Sequence, residues 1–479
     1  MKLFKHQKEG IQFLVEAKRA ILADEMGLGK TLQAIKAVSE LGGQNLVICP
    51  ASLKGNWERE IKNANPLDSV MVINGRTRPD GTYYKLQKWT IINYDITSYH
   101  VEWIKEKQDA GEIENIILDE AHYIKGKSSV RSKAVLEITE NATGAVLPLT
   151  GTPLMNRPAE LWNLLLAIRH PMTTVKGART RFSTLYCGGH LQIIPATKWR
   201  PYPIRFWDES GATNLGMLRG ELKGYMLRRK KDEVLDLPEK IVSVEEVEMT
   251  NDQQKIYDNA WEMYMEFLRQ NPPDPSKMDN ILMARHLIEI QKLKQISSRG
   301  KVKRMAEDVE NAIEQGQKVI IFTQYVETLN MLKEETGKIK SDGKLIKIAS
   351  ISGATKAEDR QKEVDRFQQD EQCKVFIGNI KAAGVGITLT AASIVMFADM
   401  EWTPELHRQA EDRAHRIGQN GTVNVYYYVM KDTIDIDNME LLASKKKTID
   451  IVIDGEADEI EGQATISTFL ARMGRKAGL

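Results

Sequence analysis

Cysteine is scarce in this chain. There are three in 479 residues, Cys49, Cys187 and Cys373, far apart and without a Cys-x-x-Cys or Cys/His cluster. That spacing excludes a disulfide framework and a structural zinc site, and it fits a reducing compartment. Long apolar runs are missing as well. No uninterrupted stretch would span a bilayer, and the opening Met1-Lys-Leu-Phe-Lys-His-Gln-Lys-Glu9 has no apolar signal region, so the expectation is a soluble intracellular protein with no membrane partner. An excess of one charge sign is also lacking. The formal net charge is +1, so no global field advertises a polyanionic partner and any such binding must use local patches. No repeat of fixed short period is present. What remains is an ordinary globular balance, 42% hydrophobic and 28% charged, in a chain long enough for two or three domains.

Residues 1–170 alternate short apolar runs with helical patterns. The strand candidates Leu46–Cys49, Val70–Ile73, Thr90–Asn93, Asn115–Leu118 and Ala145–Leu149 predict an α/β unit around a mostly parallel sheet. Residues 171–300 read differently. Prolines and aromatics are scattered, and between Lys176 and Lys231 lysine and arginine outnumber acids twelve to three; a strongly helical stretch follows. A second α/β alternation fills 301–450, with strand candidates Lys318–Thr323, Ile348–Ile351, Cys373–Ile377, Ser393–Phe397 and Val423–Val429. Residues 451–479 turn from acidic to basic and read as a solvated charged tail. The expected fold class is therefore α/β, two lobes of parallel sheet flanked by helices, with a basic, helical insert between them.

The most informative stretch is Asp24-Glu25-Met26-Gly27-Leu28-Gly29-Lys30-Thr31. It follows the apolar run Ala20–Ala23 and precedes a pattern in which Leu32, Ile35, Val38 and Leu41 share one helical face. Strand, tight loop and helix are the setting of a phosphate-binding loop. Gly27 and Gly29 let the backbone curl its N–H groups toward phosphates, Lys30 supplies charge, and Thr31 offers a hydroxyl to magnesium. The general pattern has another glycine where Asp24 stands. Asp119-Glu120-Ala121-His122 ends the Asn115–Leu118 run, which places two acids at the carboxyl end of a strand. Asp119 is expected to hold magnesium and Glu120 to orient and deprotonate a water, with His122 sensing the γ-phosphate. Thr150 and Thr152 flank Gly151 in Leu149–Pro153 and suit a hydrogen-bonding relay. Farther on, Gln409, Arg413 and Arg416 stand at i, i+4 and i+7, one face of a helix. Two guanidinium groups so placed suit the charge of a transferring phosphoryl group, as arginine fingers.

Together these segments resemble the Swi/Snf family of superfamily-two helicase-like ATPases, from Phe4 to about Val429. His6–Gly10 resembles the family's opening glutamine motif, which implies adenine recognition by Gln7. Cys49–Trp57 is similar to its first DNA-contacting segment, Asp119–His122 and Leu149–Pro153 to its second and third motifs, and Arg228–Pro238 to the basic brace that ties the lobes. Gly384–Leu389 and Trp402–Gln419 resemble the fifth and sixth motifs. Arg181–Cys187, Gly211–Leu215 and Ala382–Ala392 resemble the small HepA-related annealing-helicase branch.

The resemblance implies two RecA-like lobes of P-loop NTPase type, ATP and Mg2+ as cofactors, and hydrolysis coupled to stepping along duplex or forked DNA without sequence preference. Ser52, Lys54, Lys125, Arg131, Lys381, Gly384 and Thr388 are the expected backbone contacts. Trp57 and Trp402 either stack on a base or pack structurally. The basic insert is an extra grip on duplex, and targeting falls to a partner protein. The expected setting is the cytoplasm (nucleoid-associated, or a virus-infected cell), or the nucleus in a eukaryote. The expectation is an ATP-dependent DNA translocase or remodeller. A strand-separating DNA or RNA helicase and a non-catalytic DNA-binding module are the alternatives.

Overall fold

The computed structural model describes residues 3–77, 87–126, 129–151, 158–194, 202–209, 211–271, 280–384 and 386–443, together with 469, 470 and 473. The chain divides into two compact units, the first ending at Asp236 and the second beginning at Leu237. No helix among the described residues is long and apolar enough to cross a membrane.

The first unit is built on a parallel sheet of five strands in the order Val70–Val72, Trp89–Asn93, Asn45–Cys49, Asn115–Leu118, Val146–Pro148. Asn45–Cys49, Trp89–Asn93 and Asn115–Leu118 are buried at every position, because helices cover both faces of a parallel sheet. Two bridges, Arg19 with Val146 and Leu22 with Leu149, lay the short strand Ile21–Leu22 beside the last of the five. That strand pairs in parallel on its other side with Met226–Leu227, drawn from far along the chain. The helix Lys30–Leu41 buries Leu32, Ile35 and Val38, the face read from the sequence, and ends at Gly42, whose φ is 82°.

The second unit carries six parallel strands in the order Lys240–Val247, Val423–Met430, Ile394–Phe397, Val319–Thr323, Cys373–Asn379, Lys347–Ile351. Five of them fall within two residues of the sequence expectation at each end. The sixth, Lys240–Val247, was not foreseen. It is an edge strand with Ile241, Val242 and Val244 exposed, so its apolar residues give no alternation toward a core.

The stretch 171–300 is shared between the units. Phe182, Tyr186, Cys187, Leu215, Leu218 and Leu222 join the core of the first, while Tyr257, Tyr264, Leu268, Ile290 and Leu293 form a cluster of the second. An antiparallel hairpin, His190–Ile194 with Ile204–Asp208, stands in the basic part. The charged tail is corrected in one respect. Phe469, Leu470 and Met473 are 3%, 0% and 0% exposed and pack into the cluster of Tyr257 and Leu268, so a short apolar segment docks where a wholly solvated end was expected.

Candidate functional site

In the first unit, four loops leave the carboxyl ends of neighbouring parallel strands, the usual place for a ligand in such sheets. They are Ala23–Gly29, Pro50–Lys54, Asp119–Glu120 and Leu149–Gly151.

Gly27 and Gly29 lie at φ 84° and 77°, a region that strains any other residue. Gly29 caps the helix Lys30–Leu41, so the loop ends on the first-turn N–H groups and the positive end of a helix dipole. Lys30 Nζ donates to the carbonyls of Asp24 and Glu25 at 2.7 and 3.3 Å, which folds its charge over the loop. Thr31 lies in the first helical turn, partly exposed, while Met26 and Leu28 are buried and anchor the loop from below. Gln7 is only 4% exposed. Its amide donates to Leu28 O at 3.4 Å and lies so close to Gly29 that a Cβ there would come within 2.5 Å of it.

Glu120 is the strained residue of the site. Its φ and ψ are 48° and 52°, left-handed for a non-glycine, at a cost on the order of 1–2 kcal/mol. Neighbours enforce it: Glu120 N–H donates to Asp119 Oδ1 at 3.0 Å and Ala121 N–H to Leu149 O at 2.9 Å. The Glu120 carboxylate, 8% exposed as a residue, lies 3.3 Å from His122 Nδ1. Asp119 Oδ2 accepts the indole N–H of Trp57 at 2.7 Å, and its own carbonyl accepts Tyr94 OH at 2.8 Å. Burial first, then the Glu120 carboxylate, pushes the Asp119 pKa up to about 6, with Trp57 and Lys30 pulling the other way.

Thr150 is fully buried, its N–H on Leu22 O at 3.1 Å. Gly151 abuts the phosphate loop: a Cβ there would lie 2.6 Å from Met26 Cγ and 3.5 Å from Lys30 Nζ. Thr152 and Pro153 lie outside the described residues. Arg228 and Arg229 of the expected brace turn onto the phosphate loop. Arg228 reaches Ala23 O at 3.1 Å and Gly151 O at 3.4 Å, and Arg229 pairs with Asp24.

In the second unit the helical face expected to carry Gln409, Arg413 and Arg416 is corrected. The helix runs Pro404–Glu411 and Asp412 caps it, so both arginines sit in the turn beyond. Arg413 itself ends the helix. Its Nε takes the Gln409 carbonyl at 3.0 Å, the acceptor a continuing α-helix would reserve for its N–H, and that N–H turns to Ala410 O at 3.1 Å. The same guanidinium reaches Gly384 O at 2.9 Å and Ile387 O at 3.3 Å. Arg416, less buried, approaches Ile387 O at 3.5 Å. Both arginines therefore converge on the Gly384–Thr388 segment. Gly384 is required there, since a Cβ would meet Ile380 O at 2.3 Å. Gln409 is 2% exposed, and Thr388 is partly exposed.

Of the expected DNA contacts, Ser52 is exposed at the end of its strand loop. Lys54 is engaged with Ile73 O at 3.0 Å and Asn74 Oδ1 at 2.5 Å, Lys125 faces Glu160 at 3.7 Å, Arg131 pairs with Asp95, and Lys381 with Glu401 at 2.8 Å. The stacking role for the two tryptophans is not what the structure favours. Trp57 is completely buried against Asp119. Trp402 packs edge-on to Phe469 at 5.3 Å, with Lys294 Nζ 4.3 Å above its ring. Gln33 is a site residue that motif reading missed, and no local spacing marks it; Trp57 and Arg229 lie in segments the sequence singles out, but their contacts with Asp119 and Asp24 are not readable there.

Residues 6–321 match the SNF2-related domain, and residues 300–418 match the helicase conserved C-terminal domain. The chain is similar to the DNA annealing helicase and endonuclease ZRANB3 of Homo sapiens, 30% identical over 472 residues that cover 96% of this chain and 41% of the relative. It is similar to the SWI/SNF-related matrix-associated actin-dependent regulator of chromatin subfamily A-like protein 1 of Xenopus laevis, 31% identical, covering 93% of this chain and 44% of that protein. Among solved structures it is similar to the Sulfolobus solfataricus SWI2/SNF2 ATPase core in complex with dsDNA, with 25% identity, a TM-score of 0.41, and coverage of 100% and 97%. The chain spans less than half the length of the two relatives named.

Proposed function

The chain belongs to the SNF2-related domain family, and from that membership we propose that it is an ATP-dependent translocase or remodeller acting on duplex or forked DNA. One observation carries the reading: a lysine-bearing phosphate loop follows a short strand bridged to the edge of the five-stranded sheet, whose carboxyl end carries the Asp119–Glu120 pair, with Glu120 held in a strained left-handed conformation.

Lys30 and the loop N–H groups bind the phosphates of ATP, and Gln7, seated on the loop, is placed to report adenine to it. Glu120 takes a proton from the attacking water, and His122 shares that carboxylate's surroundings. Asp119 and Thr31 fit a magnesium ion by the chemistry of their donors, a carboxylate beside a second carboxylate and a hydroxyl in the first helical turn; such an ion would neutralise phosphate charge. Trp57 and the Glu120 N–H fix the Asp119 carboxylate. Ser52, Lys381 and Thr388 belong to segments that grip the sugar-phosphate backbone.

The test is ATP hydrolysis by the purified chain with single-stranded, duplex and forked DNA and with RNA, side by side. Duplex or fork should stimulate, and rising salt should abolish the effect. Glu120→Gln should bind ATP and scarcely hydrolyse it. Stimulation by RNA alone would replace this reading with an RNA motor.

A further inference from the structure

Asp24 occupies the position where a general phosphate loop has glycine, and its carboxylate is fully buried. Its two oxygens are engaged by protein groups. Arg229, 205 residues away, grips it with two prongs, Nε on Oδ1 at 3.0 Å and NH2 on Oδ2 at 2.5 Å. Gln33 closes the ring: its amide donates to Asp24 Oδ2 at 3.2 Å and to Leu28 O at 3.2 Å, and its oxygen accepts Arg229 NH2 at 3.0 Å. A further prong of Arg229 holds the His6 carbonyl. Gly10 makes room for the node, since a Cβ there would fall 1.8 Å from Gln33 Oε1 and 2.7 Å from Arg229 NH2. The glutamine-motif helix, the phosphate loop, the helix behind it and the 225–231 segment thus meet at one ion pair.

The backbone repeats the connection. Ile21, Ala23 and Glu25 donate in turn to the carbonyls of Tyr225, Leu227 and Arg229 at 2.8, 2.7 and 2.9 Å, a parallel ladder that runs down to the root of the loop. Lys231 N–H then takes Glu25 Oε2 at 2.7 Å. A few residues later the first unit ends at Asp236 and the chain passes into the second. A shift of the loop root must either carry this segment with it or break a planar, two-pronged contact that no other side chain can reproduce.

We propose that Arg229 is a positioning residue that ties the state of the phosphate loop to the chain segment leading into the second unit. Asp24 is its counter-ion and not a ligand of the nucleotide. The proposal rests on the reading of the chain as an ATP-dependent DNA motor. It makes nucleotide and DNA affinities interdependent through this node, by linkage.

The experiment measures the affinity for a fluorescent duplex with and without a non-hydrolysable ATP analogue, and the affinity for the analogue with and without duplex. In the parent protein the two states should differ by ~5-fold or more. Arg229→Lys should bring that ratio close to one while both ligands still bind. Should this variant fail to fold, the double change Asp24→Leu with Arg229→Met replaces the buried pair by apolar volume and should abolish the ratio equally. Weakened affinities with the parent ratio retained would make Arg229 purely structural and overturn the proposal. A parent that binds no duplex, or shows no nucleotide dependence, would overturn the motor reading and the proposal with it.

Discussion

The indole N–H of Trp57 donates to Asp119 Oδ2 at 2.7 Å across 62 residues of sequence, and the indole is completely buried. Trp57 lies on the helix Lys54–Ala64, directly after the Ser52–Lys54 segment assigned to the DNA backbone, so one residue joins that segment to the acid pair.

Trp57→Phe keeps an aromatic ring in the core and removes one donor. A hydrogen bond to a charged partner contributes about 1.5–3 kcal/mol to stability, so the melting temperature should fall, and duplex-stimulated turnover should drop as the Asp119 carboxylate loses its fixed orientation. That bond favours the ionised carboxylate against burial. Without it the Asp119 pKa rises beyond its present value of about 6, and the acid limb of turnover moves to higher pH. Thermal melting and steady-state rates across that range check these effects. An unaltered rate and profile would leave the contact without a role in hydrolysis.

Strands were legible where both faces of a parallel sheet are covered, because Val319–Phe322 and Ile116–Leu118 are then unbroken apolar runs. The phosphate loop and the acid pair were legible because their chemistry is local. Lys240–Val247 was not, since an edge strand with an exposed face has no such run. Nor could any window show that Trp57 meets Asp119 or that Arg229 meets Asp24, contacts made only by the folded chain. The end of the helix at Glu411 escaped notice because a side chain, not a glycine or proline, captures the last carbonyl. In the tail, Phe469, Leu470 and Met473 stand at i, i+1 and i+4 and carried a signal that the surrounding charges obscured.

His407 should make the second unit acid-sensitive. It is 3% exposed, packs tilted beside the stacked Phe397 and Tyr427 rings, and accepts the Glu401 N–H at 3.0 Å; burial lowers its pKa from 6.5 to about 4. The unfolded chain therefore binds the proton first. The stability due to this group is fully present above pH 6.5 and is lost as pH falls toward 4, amounting to about 3 kcal/mol. Urea unfolding from neutral pH to pH 4 should show the loss, and His407→Gln should reduce the slope. Parallel slopes would assign the acid sensitivity to other groups.

The docked tail segment should stabilise the second unit without touching DNA. Leu470 is fully buried, so Leu470→Ala should cost about 2–5 kcal/mol, read by urea unfolding. Phe469→Ala should free one edge of the Trp402 ring and shift tryptophan emission to the red, with duplex affinity unchanged. A selective loss of duplex affinity would return Trp402 to the DNA interface.

Arg413 and Arg416 should separate by stability. Arg413 is 7% exposed and spans the carbonyls of Gly384, Gln409 and Ile387, so Arg413→Ala should lower the melting temperature along with any rate effect. Lysine should rescue it poorly, because a point charge cannot bridge acceptors that a planar fork reaches. Arg416 is less buried than Arg413, so truncating it should lower the melting temperature less than Arg413→Ala does. If Arg416 stabilises the charge of the transferring phosphoryl group, its loss should nonetheless slow hydrolysis roughly a thousandfold or more. The decisive comparison is single-turnover hydrolysis on saturating duplex, with nucleotide affinity and melting temperature measured on the same preparations. Arg416→Ala should keep nucleotide affinity, lower the melting temperature less than Arg413→Ala, and lose hydrolysis. Hydrolysis at the parent rate would make the turn after Glu411 a structural element alone and remove the arginine-finger assignment.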